Sequence, residues 1–215
     1  MKAGGKRIVS LDDPSRGRAL IDRLAQSGWT LSHVKDEAEA LALLEADSAA
    51  TILFIESTLR DSLTGLHGRV AFEETLTAEL GRALRDCRSL ALLLGELDGT
   101  DQVSPEVLRR VADALSATIS RPGDFLARVG LGRFAILLPG THLEGASVVG
   151  EALRQTVEEQ LRDSAVTVSF GVSAVDARQS TPSAAFLAAA EKALHVARLR
   201  GGNAVVEAAL EGAKS

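Results

Sequence analysis

The chain has 215 residues, enough for one large domain or for an ordinary domain with a small one beside it. Hydrophobic residues make up 46% and aromatic residues only 3%, so a sizeable core is expected and must be built from Leu, Val, Ile and Ala. The net charge of −5 with no basic stripe argues against nucleic-acid binding, the single cysteine (Cys87) excludes an internal disulfide or zinc-ligand spacing, and no run approaches the ~20 apolar residues of a membrane span.

The opening "MKAGGKRIVSLDD" lacks the long apolar run of a signal peptide, and the expected location is the cytoplasm. "RIVSL" (Arg7–Leu11) predicts a strand. Asp12-Asp13-Pro14 then opens a helix, with Asp as N-cap and Pro at the first helical position. "WTLSHV" (Trp29–Val34) alternates as a strand and "DEAEALALLEA" (Asp36–Ala46) has helical spacing. "TILFIES" (Thr51–Ser57) reads as a buried parallel strand. This β-α-β-α-β order predicts right-handed crossovers and a three-stranded parallel sheet, with the edge at Thr51–Ser57 open for docking.

A second segment begins near Asp61. "DSLTGLHGRVAFEETLTAELGRAL" predicts a turn and an amphipathic helix, and "SLALLLGELD" (Ser89–Asp98) a buried strand. "SPEVLRRVADALSATI" predicts a helix with Ser104 as N-cap and Pro105 at its first position. "RPGDFLARVGLGRFAILLPGT" (Arg121–Thr141) predicts a hairpin turning at Gly130-Leu131-Gly132, with Arg133 beside the tip as a solvated charge. A helix over Leu143–Leu161, a strand over Ala165–Val175, a last helix after Thr181-Pro182 and a short strand in "NAVVEAAL" complete an α+β arrangement of helices on a sheet.

Four motifs in order and spacing, "DSLTGL" (Asp61–Leu66), "RVGLGRFAILLPGT" (Arg128–Thr141), "VTVSFGVSA" (Val166–Ala174) and "AAEKALHVARLRGGN" (Ala189–Asn203), resemble the GGDEF domains of bacterial diguanylate cyclases. The resemblance covers about Asp61 to Val206. It implies a ferredoxin-like, nucleotide-cyclase-type fold. It also implies a family activity in which two GTP molecules are joined into cyclic di-GMP at a dimer interface. Such phosphoryl transfer needs Mg²⁺ held by carboxylates.

This sequence departs from that pattern. The signature reads Gly130-Leu131-Gly132-Arg133-Phe134, in which only the first glycine and the phenylalanine remain. Both acids are gone, Arg133 would repel a metal, and Leu131 adds bulk where a phosphate would approach. The strand acid is represented by Glu96, with Asp98 two residues on, and the loop that follows is short. The resemblance therefore implies a domain that is no longer an enzyme and holds no metal or cofactor.

The family's inhibitory Arg-x-x-Asp is kept. "RPGD" (Arg121–Asp124) is separated from Gly130 by "FLARV". In the family this motif binds cyclic di-GMP. A guanine offers O6 and N7 to an arginine fork and N–H donors to a carboxylate. The same two residues also read as a polar turn paired to itself. Arg154, on the helix after the hairpin, is a candidate second arginine for a ligand dimer held by a neighbouring domain. His67 and His195 read as structural.

The first segment resembles the front half of a response-regulator receiver. "SLDD" supplies its acid pair, but Glu56 stands where a phosphoacceptor aspartate should end the third strand. The expected division is 1–57, a truncated receiver-like segment incapable of phosphorylation, and 61–208, a degenerate GGDEF domain. The expected function is a catalytically inactive signalling protein. It binds cyclic di-GMP through Arg121 and Asp124 and relays this to a protein partner, with a homodimer left open. The alternatives are a nucleotide-independent scaffold and, remotely, a residual cyclase.

Overall fold

The computed structural model describes residues 7–10, 30–33, 50–52, 59–99, 103–164, 166–175 and 181–208. The chain divides into two compact units, Met1–Thr58 and Leu59–Ser215. In the first, strands β1 (Arg7–Ser10), β2 (Thr30–His33) and β3 (Ala50–Ile52) form a parallel sheet in the order β2-β1-β3. Arg7 stands opposite Thr30 on one side and Ala50 on the other. Asp12, Asp13 and Glu56 lie outside the described residues, as do the segments expected to be helical.

The second unit opens on the Asp61–Leu66 turn. Asp61 accepts from the Thr64 amide and hydroxyl at 2.8 and 2.6 Å, and Gly65 takes φ +70°. From the far end of the hairpin, Arg128 Nη1 donates to Asp61 at 2.8 Å, with both side chains largely buried. The His67 ring stacks on Phe125 at 4.4 Å between centroids. Burial, and then the nearby Arg60 cation, lower the pKa of His67.

Helix α1 (Arg69–Asp86) leads to β4 (Leu90–Leu97), then α2 (Pro105–Thr118). Ser104 caps α2 by accepting from the Val107 amide at 3.2 Å, and Pro105 occupies its first turn, where the missing N–H costs nothing. The hairpin strands are β5 (Phe125–Arg128) and β6 (Arg133–Pro139). Helix α3 (Leu143–Gln160), β7 (Val168–Val175), α4 (Ser183–Leu199) and β8 (Val205–Glu207) follow.

The five strands form one mixed sheet in the order β5-β6-β4-β7-β8. β4 is antiparallel to both β6 and β7, and β8 runs parallel to β7 after the α4 crossover. Alternate β4 residues face opposite layers. Ala91, Leu93 and Leu97 pack with α2 and α3. Leu90, Leu92 and Leu94 pack with α1 and α4. The strand is buried on both faces, which is why it reads as a continuous apolar run. Helix α4 sits unusually close to β7. A Cβ at Gly171 would lie 2.1 Å from the Ala190 carbonyl oxygen and 2.2 Å from the Leu194 nitrogen.

Candidate functional site

The strand register builds the first cluster. Glu96, near the end of β4, is paired across the sheet with Arg133, the first residue of β6. Arg133 Nε donates to one Glu96 carboxylate oxygen and Arg198 Nη1, from the last turn of α4, donates to the other. Arg133 is thus not merely a solvent-held loop charge, because the register brings it onto Glu96. Opposite charges facing each other across an antiparallel pair attract. Leu131, at the tip, stands 84% exposed and Phe134 is fully buried. Neither Gly130 nor Gly132 takes a positive φ.

Asp98 is occupied differently. Its carboxylate accepts from Thr167 Oγ1 at 2.9 Å, Ser169 Oγ at 2.8 Å and the Asn203 amide at 2.8 Å. These bonds tie the end of β4 to β7 and to the turn between α4 and β8. The close fit requires Gly202, where a Cβ would meet the Asp98 carboxyl carbon at 2.8 Å. Among the described residues, no group of three or more His, Cys, Asp or Glu side chains is placed to hold a metal ion.

Arg154 belongs to a third cluster. Its Nε and Nη2 donate to Glu151, and its Nη1 donates to Glu158 at 2.7 Å and to Asn203 at 2.8 Å. The side chain is 13% exposed. These carboxylates hold the guanidinium firmly in its charged form, and the hydrogen bonds from Arg154 in turn hold Glu151 and Glu158 below the usual carboxylate range. The arrangement braces α3 against the turn before β8. It leaves this arginine few donors for anything outside the protein.

The Arg121–Asp124 turn lies at the other end of the sheet. Pro122 fixes the first central position, Gly123 takes φ +99° at the second, and the Asp124 amide donates to the Arg121 carbonyl at 3.1 Å. This is a type II arrangement, which needs glycine at that position. The turn displays the two side chains without pairing them, since Arg121 and Asp124 make no mutual ion pair among the described residues. Arg121 is exposed and Asp124 half-buried. Burial pushes the Asp124 carboxyl above its ordinary value, opposed in part by the Arg121 cation. Beside Pro122 runs an open groove of about 290 Å³, lined in part by Glu79, Arg82, Asp86, Arg88 and Ser89. Ser89 Oγ lies 2.7 Å from His142 Nδ1.

The structure thus brings Arg133 together with Glu96 and Arg198, and keeps all three away from the Arg121 turn. Arg198 and Arg88 were missed in the sequence. The signal for Arg198 was weak, a cation one residue from the end of an alanine-rich helix. His195 is exposed beside the Gly201-Gly202 turn. Cys87 is exposed at the end of α1, in the left-handed region at φ 50°.

Residues 58–204 match the family model described as the diguanylate cyclase GGDEF domain. The diguanylate cyclase DgcP of Pseudomonas aeruginosa is 30% identical over 159 residues, which is 68% of this chain and 23% of that protein. The probable diguanylate cyclase DgcT of Escherichia coli is 28% identical over 68% of this chain and 35% of its own length. The chain therefore spans only about a quarter to a third of these relatives. Among solved structures, it resembles the diguanylate cyclase SiaD of P. aeruginosa in complex with its activator SiaC. There the TM-score is 0.63 and the identity 26%, over 90% of this chain and 71% of that one. The coiled coil and GGDEF domain of DgcB from Caulobacter crescentus, in complex with c-di-GMP, gives TM-score 0.63. It is 24% identical over 88% of this chain and 100% of that one, a likeness of fold.

Proposed function

Because this chain belongs to the GGDEF family of diguanylate cyclase domains, we propose that it is a member turned from catalysis to recognition. It binds cyclic di-GMP at Arg121 and Asp124, makes none, and passes the signal to a protein partner. The observation that carries this reading is which carboxylates are already engaged. Glu96 has a guanidinium on each oxygen, whereas Asp124 has no partner among the described residues.

The family reaction depends on Mg²⁺ to bridge and neutralise phosphates, and Mg²⁺ demands near-octahedral oxygen ligands. The residues present do not fit such an ion. Arg133 and Arg198 stand where it would approach Glu96, and the signature positions Gly132 and Arg133 offer no side-chain oxygen. Guanidiniums in place of metal and acid support an inactive domain.

At the Arg121 turn the arginine fork suits the O6 and N7 edge of a guanine, and the Asp124 carboxylate suits its N–H donors. Arg82 and Arg88 line the adjoining groove, but Glu79, which pairs with Arg82, and Asp86 line it too, so the recognition rests on Arg121 and Asp124. Arg154, saturated by Glu151, Glu158 and Asn203, has no part in this ligand site.

Calorimetric titration of the full chain with cyclic di-GMP tests the reading. Wild type binds at micromolar ligand, and Arg121→Ala weakens binding roughly five- to a hundredfold, the equivalent of about 1–3 kcal/mol for a lost bidentate arginine–guanine contact. No heat with wild type, or equal binding by both proteins, removes the receptor reading. Incubation with GTP and Mg²⁺ or Mn²⁺ yields no cyclic di-GMP above a protein-free control. Product that scales with protein and vanishes with Glu96→Ala removes the inactive reading.

A further inference from the structure

Leu59–Gly68 is the stretch through which the second unit continues back into Met1–Thr58. It lies as a strap on the outer edge of the five-stranded sheet. β5 is the last strand on that side, bonded to β6 from Phe125 to Arg128, and the outer backbone groups of such a strand need a partner or water. The strap supplies one. His67 bridges to Ala127, and the Arg128 amide donates to the His67 carbonyl at 2.8 Å. The strap is also closed on itself. The Gly68 amide donates to the Leu59 carbonyl at 2.9 Å and the Asp61 amide to the Leu66 carbonyl at 2.8 Å.

Two side-chain contacts fasten it, one at each end of β5. At Arg128 the fastening is the ion pair with Asp61, whose side chains are 12% and 9% exposed. At Phe125 it is the His67 ring, stacked at 4.4 Å with 27° between the planes. Phe125 directly follows Asp124. The ring that holds Phe125 therefore also holds the main chain from which the Asp124 carboxylate projects. The Asp124 amide is held from the other side, by the Arg121 carbonyl at 3.1 Å.

We propose that this strap regulates the Arg121–Asp124 site. Docked on β5, it fixes Phe125 through His67 and so presents the Asp124 carboxylate to guanine. Released, it leaves that carboxylate to be ordered by the ligand, at a cost in affinity. His67 is thus a positioning residue, acting through Phe125. The coupling is reciprocal: whatever factor docking adds to ligand affinity, the ligand adds to docking. Thr58, the residue before the strap, belongs to the first unit, so a ligand that tightens the strap acts at the joint between the two units. The inference rests on the receptor reading and adds to it a route by which occupancy of the turn leaves the domain.

Hydrogen exchange of the full chain, with and without saturating cyclic di-GMP, tests the coupling. The Asp61, Gly65, Gly68 and Arg128 amides, all bonded within the strap or to it, exchange about fivefold or more slowly with ligand, the low end of typical site-to-site couplings. The Leu108 and Leu161 amides, in other elements, change far less, and Arg121→Ala abolishes the slowing. By calorimetry, His67→Ala binds cyclic di-GMP roughly three- to tenfold more weakly, and His67→Phe, which keeps a ring against Phe125, restores affinity to within about twofold of wild type. A cooperative melt establishes that each variant is folded, and should His67→Ala not fold, the exchange measurement on wild type decides. Wild type that binds the ligand with unchanged strap exchange, or with equal slowing at Leu108 and Leu161, overturns the proposal and leaves the receptor reading standing. So does His67→Ala binding as tightly as wild type, or His67→Phe binding no better than His67→Ala. No binding by wild type removes both.

Discussion

Two acids of similar chemistry have been given opposite tasks by their surroundings. Glu96 is neutralised by arginines from β6 and α4, and Asp98, two residues on, is consumed by hydrogen bonds that hold three elements together. Asp124 has neither kind of partner among the described residues, and burial raises its pKa. A pH dependence follows. The ionised carboxylate is the form that accepts from guanine N–H groups. On the proposed reading, its contribution to cyclic di-GMP affinity should be complete well above the raised pKa and be lost as pH falls through it. That loss begins at a higher pH than an ordinary aspartate would show. Titrations between about pH 7.5 and about pH 5 should show wild-type affinity falling with acidity, and Asp124→Asn should be weaker throughout and flat over the same range. A wild-type affinity that does not change would exclude Asp124 from the ligand contact.

At the scale of elements, the strands bring the charged residues together and the glycines set the spacing. The β4–β6 register puts Glu96 opposite Arg133, so a one-residue slip would send the two side chains to opposite faces. The α4–β7 contact is held at its distance by Gly171. The atoms that a methyl group would strike there are backbone atoms of α4, which no rotamer change can move aside. Gly171→Ala should therefore force α4 off the sheet. It would disturb the packing of Phe186, Ala190 and Leu194 and cost about 3 kcal/mol or more, at or beyond the upper end of the range for core overpacking. Chemical denaturation measures it directly, and a loss under about 1 kcal/mol would mean that the helix shifts freely.

At the scale of the whole chain, the unit from Leu59 carries its own core. Among the described residues, the two buried clusters, which include Leu90, Phe134, Phe170 and Phe186, are built from residues of that unit. A fragment covering Leu59–Ser215 should therefore unfold in one cooperative transition without the first 58 residues. Far-UV circular dichroism and tryptophan-free near-UV probes should give coincident denaturation curves. Non-coincident curves, or a fragment that stays unfolded, would show that residues 1–58 complete its core. No helix among the described residues is long and apolar enough to cross a membrane.

The sequence by itself determined the order of the elements in the larger unit, the cap of α2 at Ser104, the hairpin from Phe125 to Pro139 and the family. These rest on local rules, in which apolar periodicity, capping residues and turn glycines act within a few neighbours. It also showed that acids were missing from the hairpin tip. What it could not show was where the remaining charges go. Arg198 meets Glu96 across 102 positions of chain, and Arg154 reaches Asn203 across 49. Such partners are chosen by strand register and by the crossing of α4 over the sheet, not by spacing along the chain. The same holds for a cavity between α1 and α4. It exists because two helices remote in sequence pack on different strands of one sheet and leave an unfilled gap between them.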